Sequence, residues 1–186
     1  MTGIMPLAKP RQTKDETLEI GRGMVVGFDT KAWLLGIRGY YRDTMGVPGK
    51  NDRGIYDDAI ILVSPTCHQT FNANTDPNVY RTGVAVLKTG LWLYKVGIHG
   101  LNKPADKRYP ALVQAQEVTV IRDQQGPDTG YFGINIHRGS YTSTSSIGCQ
   151  TIHPDQWSSF FESVKQEMKH HNQVVIPYLL VDGPTR

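Results

Sequence analysis

Cysteine is scarce in this sequence, and long apolar runs are missing. The 186 residues hold two cysteines, Cys67 and Cys149. A disulfide between them is possible by count, but the pair does not look like the dense framework that staples small secreted domains. No stretch reaches the roughly 20 apolar residues that cross a bilayer, so no membrane span is expected. The start, Met1 to Lys14, is polar and carries proline, without the apolar core of an export signal. Synthesis in the cytoplasm is therefore expected, and any role outside the cell requires release or secretion by another route. Charge of one sign is not in excess either. Lys and Arg number 20 and Asp and Glu 17, a net charge of +3. No basic run or aromatic–basic alternation marks a groove for nucleic acid, so none is expected as a partner. Neither an internal repeat nor a low-complexity tract occurs.

What the chain does have is 19 glycines and 11 prolines, which predict many turns and few long helices. Residues 1–18 read as a flexible polar arm, and 19–186 as one domain. Met24–Phe28 and Ala32–Ile37 are short apolar runs closed by glycine, either strands or, for the second, a helical turn. Ala59–Val63 is a buried strand stopped at Ser64-Pro65. Residues 42–56, 71–81 and 100–110 read as loops. Val84–Leu87, Leu91–Ile98 and Val118–Arg122 read as strands. The turn cluster 123–130 leads into Tyr131–His137 as a hairpin.

One segment has a clear helical pattern. Pro154 and Asp155 suit a helix N-terminus, and Trp157, Phe160, Phe161, Val164 and Met168 follow at helical spacing. Val174–Val181 is a strand, and Pro177 argues for an edge position. The expected fold class is mainly β with one helix near the C-terminus.

The chemistry concentrates in 131–153, YFGINIHRGSYTSTSSIGCQTIH. Ile134 and Ile136 alternate with Asn135 and His137, so the isoleucines face a core and Asn135 and His137 share the other face. A small, polar loop then ends at Ser146-Ile147-Gly148-Cys149, and Gln150–Ile152 reads as the next strand. Cys149 follows a glycine at a loop-to-strand junction. A thiolate nucleophile needs access, a base and N–H donors for an oxyanion. Gly148 lets a substrate approach, the N–H groups of Gly148 and Cys149 are candidate oxyanion donors, and neutral His137 can take the thiol proton. Ser146 either caps the turn or orients His137. His99, Asn135, Arg138, Gln150 and Thr151 are candidate substrate-binding positions. An inert buried cysteine and a structural histidine are the competing readings for Cys149 and His137.

The pattern I-H-x-G followed by S-x-G-C-x-x-I resembles the signature of the L,D-transpeptidase (YkuD-like) catalytic domain, and the chain as a whole is more similar to phage- or prophage-encoded members than to secreted ones. The resemblance is specific over about 130–153 and compatible over a motif core of 84–182. It implies a β-sandwich with a modest helical component, Cys149 as nucleophile and His137 as base. Peptidoglycan stem peptides are the implied partner, attacked through a thioester acyl-enzyme without any cofactor or metal. Where the family usually has Arg two positions after the cysteine, this chain has Thr151. It also has Ile147 where the family often has His. The missing Arg at Thr151, together with the lack of an export signal, favours a hydrolytic, wall-degrading L,D-peptidase over an enzyme that forms 3-3 cross-links.

His99 lies in a second family-like run, Gly97-Ile98-His99-Gly100-Leu101-Asn102-Lys103-Pro104, similar to an I-H-G-x-N-x-P run, but no S-x-G-C follows it closely. It reads as a cleft-lining residue. Cys67 and His68 are adjacent and should point to opposite faces of a strand. Two other classes remain open. One is a zinc peptidase using His99, His137 and His153, although no H-E-x-x-H spacing supports it. The other is a non-enzymatic wall-binding or virion structural module.

Overall fold

The computed structural model describes residues 4–183. The fold is mainly β, as the sequence predicts, with a long helix near the C-terminus. In chain order come α1 (Lys14–Gly21), β1 (Trp33–Arg38), β2 (Asp58–Val63), β3 (His68–Asn74), β4 (Ala85–Leu87), β5 (Gly90–His99), β6 (Tyr109–Gln114), β7 (Val118–Arg122), β8 (Gly126–Gly130), β9 (Ile136–Arg138), β10 (Gln150–Ile152), α2 (Pro154–His170) and β11 (Ile176–Asp182). Eight strands close into a barrel in the order β1-β11-β5-β6-β9-β10-β3-β2, and β4-β7-β8 form a separate three-stranded sheet. The two sheets of a sandwich are thus replaced by one sheet closed on itself and a smaller satellite.

Strand alternation divides the apolar residues between two cores. Leu34, Ile60, Leu62, Phe71, Ala73, Leu112, Ile136 and Ile152 belong to the main core, which also takes Phe160, Phe161, Val164 and Met168 of α2. Trp33, Leu35, Ile37, Ala59, Ile61 and Val63 face the other way and form a second core with Leu18 and Ile20 of α1. Because β2 is buried on both faces, its run is continuously apolar rather than alternating. Pro154 opens α2, His153 Nδ1 accepts the Asp155 N–H at its start, and Lys169 and His170 close it.

Several segments differ from the sequence reading. Over the described residues 4–18, the expected arm is bound to the barrel. Ala8 O accepts from the Tyr41 hydroxyl and from Asn72 Nδ2, and Lys14 begins a helix capped reciprocally by Thr13 and Glu16. That helix buries only Thr17 and Gly21, so it has little apolar stripe to betray it, although the T-x-x-E capping signature is present. Residues 24–28 are turns, not a strand. The expected loop 71–81 is half strand, because β3 pairs along β2 with Phe71 and Ala73 facing the core. In 100–110, β6 begins at Tyr109, and the hairpin is β7–β8, ending before Tyr131. Pro177 is not on an edge, since β11 lies between β1 and β5. It pairs with Leu93 of β5, while the ladder with β1 begins only at Tyr178. On that side its missing N–H costs no ladder bond.

Candidate active site

The barrel register assembles the site. β5 and β6 pair His99 with Tyr109. β6 meets β9 through Leu112 and Ile136, and β9 meets β10 with His137 opposite Thr151. Ile136 and Leu112 face the main core, which leaves His137, Tyr109 and His99 on the opposite face. The loop 139–149 then returns the chain so that Cys149 arrives beside them.

The side-chain ligand atoms of His99, His137 and Cys149 all lie within 4.8 Å of one another. The two imidazoles are stacked, with centroids 4.0 Å apart. Both cysteines are free thiols, so the disulfide allowed by count does not form. Cys149 is half-buried on the floor of a cleft of about 810 Å³. Its Sγ donates to Gly133 O at 3.3 Å and accepts the Asn135 N–H at 3.4 Å.

Hydrogen bonds distinguish the two histidines. His137 Nδ1 lies 2.7 Å from Arg138 O, a pure acceptor, so Nδ1 carries the proton and Nε2 is the basic nitrogen. The Tyr109 hydroxyl sits 3.0 Å from the same Nδ1 and donates to Arg138 O. Asn135 Nδ2 lies 3.1 Å from His99 Nδ1. An amide N–H donating there leaves His99 protonated on Nε2, which makes it a donor rather than a base. Burial, reinforced by the neighbouring His99, pushes His137 down to about 3. Burial, with Lys103 nearby, also lowers His99. Burial raises the Cys149 thiol, against the lowering influence of the Asn135 N–H. The resting pair is therefore a neutral thiol and a neutral imidazole.

The loop itself is fixed by Ser146. Its Oγ donates to Cys149 O at 2.5 Å and accepts the Gly148 N–H at 3.0 Å. Ser146 does not touch His137 among the described residues, so of its two sequence readings the structure has the turn anchor. The same bond occupies the Gly148 N–H, which corrects its expected role as an oxyanion donor. The Cys149 N–H has no hydrogen-bond partner among the described residues and remains the candidate donor. Gly148 has φ of 135°, and a Cβ there would lie 2.9 Å from Ala85 O. Only glycine fits this position without shifting the loop.

His99 and Asn135 line the cleft with Cys149 and His137. Arg138, Gln150 and Thr151 do not, and for the fully buried Gln150 and Thr151 this corrects an expected substrate contact. Arg138 is exposed and lines a separate groove with Trp157 and Glu162. Gln150 is fully buried beneath the loop, where its Nε2 donates to Gly148 O and its Oε1 accepts from the Tyr178 hydroxyl. Thr151 is fully buried as well.

His153 caps α2 and is outside the cluster of His99, His137 and Cys149, so the three-histidine zinc set does not assemble. Two imidazoles and a thiolate remain a donor set suited to zinc. Cys67 and His68 take no part. Cys67 packs against the main core, and His68 Nε2 meets Thr17 Oγ1.

Sequence reasoning missed Tyr109 and Lys103. Tyr109 sits in no motif, and only the β5–β6 register brings it to His137; Lys103 lies in the run that begins at Gly97, which assigned it no role. Beyond Phe132, Ile134 and Ile147, the cleft adjoins a recess lined by Arg81 and Arg122. No carboxylate is among the lining residues of either space. The chain matches no protein-family model, no curated protein and no solved structure.

Proposed function

We propose that this chain is a cysteine-dependent acyl-transfer enzyme of the L,D-transpeptidase type, acting on peptidoglycan stem peptides and working mainly as a hydrolase. The observation that carries the reading is the juxtaposition of the free Cys149 thiol with His137 and His99 in an open cleft. The thiol proton passes to His137 Nε2, and sulfur attacks the amide carbonyl carbon. The developing oxyanion meets the Cys149 N–H and the His99 Nε2–H. When the C–N bond breaks, His137 returns the proton to the leaving amine and a thioester remains. Water activated by His137 then releases the acid and the thiol.

The cleft's charge fits a substrate rich in carboxylates, as stem peptides are. Lys103 lies at the histidine end and Arg81 beyond the other, and no acid lines either space; Arg122, also beyond that end, is paired with Asp128. Position 151 is buried and uncharged, so no cation there retains the end of a second peptide as acceptor. Water thereby gains over a competing amine.

Incubation with purified tetrapeptide muropeptides, read by mass spectrometry, tests the proposal. Shorter monomers are expected. Accumulation of 3-3 dimers would show that transfer dominates, and no turnover with a reactive Cys149 would favour a binding module. Loss of activity on chelation would turn the same three side chains into a zinc site.

A further inference from the structure

Beside the loop that carries Cys149, a set of buried oxygens has no partner among the described residues. Asp58 pairs with Ala73 across β2 and β3, so the antiparallel register sets Asp57 beside Asn74. Asn74 in turn pairs with Thr151 of β10. Ala73 and Ile152 face the main core, so Asp57, Asn74 and Thr151 form a row on the opposite face. Side chains directly opposite on neighbouring strands are about 5 Å apart at Cβ, close enough for their ends to share one small ligand.

All three are fully buried. Asp57 Oδ1, Asn74 Oδ1 and Thr151 Oγ1 nonetheless have no hydrogen-bond partner among the described residues. The same holds for Thr144 Oγ1, from the loop 139–149, which is also fully buried. The remaining side-chain atoms of Asp57 and Asn74 are engaged. Asp57 Oδ2 accepts the Asp52 N–H, and Asn74 Nδ2 donates to Asp76 O. Native proteins rarely leave a buried polar atom unmatched, and three such oxygens in a row, one of them a carboxylate, with a fourth on the loop, call for a common partner. An all-oxygen set with a carboxylate, an amide carbonyl and hydroxyls suits a hard cation.

We propose that Asp57, Asn74 and Thr151, covered by Thr144, form a binding site for a calcium-class cation that braces the Cys149 loop against the barrel. The brace has an evident path to the thiol. The Tyr56 hydroxyl, beside Asp57, donates to Ser140 O at 2.8 Å and accepts the Ser140 N–H at 3.0 Å. The Asn78 N–H donates to Ser146 O at 2.8 Å, and Ser146 holds Cys149.

The test is titration of the full chain with terbium(III), whose luminescence Tyr56 can sensitise, followed by displacement with calcium and then magnesium. One saturable site per chain is expected, with calcium displacing terbium and raising the melting temperature. Asp57→Asn removes the charge, and Thr151→Val removes one oxygen at nearly constant shape. Each should weaken calcium binding by about tenfold or more, and the valine variant reads out the site even if the asparagine variant fails to fold. Absence of a saturable site for terbium, calcium and magnesium would overturn the proposal. So would unchanged calcium affinity in Thr151→Val, or crystals grown in calcium that show only water among these oxygens.

Discussion

The imidazole of His99 lies on that of His137, with ring centroids 4.0 Å apart and 25° between the planes. Two imidazoles this close disfavour each other's protonation, and burial disfavours it further. Both are therefore neutral near pH 7, and so is the thiol they flank.

The pH profile of thiol alkylation follows from that resting state. A preformed thiolate–imidazolium pair gives a reactivity plateau below neutral pH. Here the rate with iodoacetamide should instead keep rising through and beyond the ordinary thiol range, near pH 8.5 for a free cysteine. A plateau at acidic pH would show that the pair is ionised at rest.

Within the proposed reaction, the nucleophile and base are separable from the rest. Cys149→Ala should abolish muropeptide turnover with the fold intact, and Cys67→Ala should leave it unchanged, since Cys67 packs against the core away from the cleft. His137→Gln should lower turnover by about 10²- to 10⁴-fold, the usual contribution of a general base. His99→Gln should cost less and act mainly on the acylation step. If the two histidine variants reverse in severity, the base is His99.

Tyr109 is a positioning residue. Its hydroxyl lies against His137 Nδ1 and bonds to Arg138 O. Tyr109→Phe should remove about 1 kcal/mol of orientation, a several-fold loss in kcat with KM nearly constant. An altered KM at constant kcat would instead put the hydroxyl on the substrate.

Burial of His137 also links stability to pH. Its folded value of about 3 lies below the ordinary 6.5, so between these limits the unfolded chain binds a proton that the folded chain refuses. Stability from this group is fully present above pH 6.5 and is lost as pH falls toward 3, at up to about 1.4 kcal/mol per pH unit. Denaturant unfolding of the wild type and His137→Gln at several pH values isolates the effect, because the buried carboxylates are common to both. Parallel curves would mean that His137 titrates normally.

Ser146 should matter for structure first. Ser146→Ala removes two hydrogen bonds and leaves the buried Gly148 N–H unpaired, at a cost of about 1–3 kcal/mol. Melting temperature and turnover should fall together, and Ser146→Thr should recover part of both. Lost turnover at an unchanged melting temperature would give Ser146 a chemical role.

Short-range pattern carried much of this molecule into view. The period-two alternation of Ile134 to His137 fixed which side chains face the core, and the helical spacing of Phe160, Phe161, Val164 and Met168 fixed the buried stripe of α2. Both are local consequences of backbone geometry, so they are legible without a partner. Strands β3 and β6 were not legible. HQTFNAN and YPALVQ are polar or proline-bearing, and they become strands because neighbours already in place offer them a ladder.

The site divides along the same line. Sequence alone determined Cys149 and His137 as a candidate pair, because the glycine, the short loop and the strand alternation lie within one continuous stretch. Only the tertiary structure decided that His99 stacks on His137, that Tyr109 meets its Nδ1, and that Gln150 and Thr151 are buried and do not line the cleft. Those relationships depend on barrel closure and strand register, and a shift of one residue in register would send each side chain to the other face. No local pattern encodes that choice. It is made by the packing of the whole sheet.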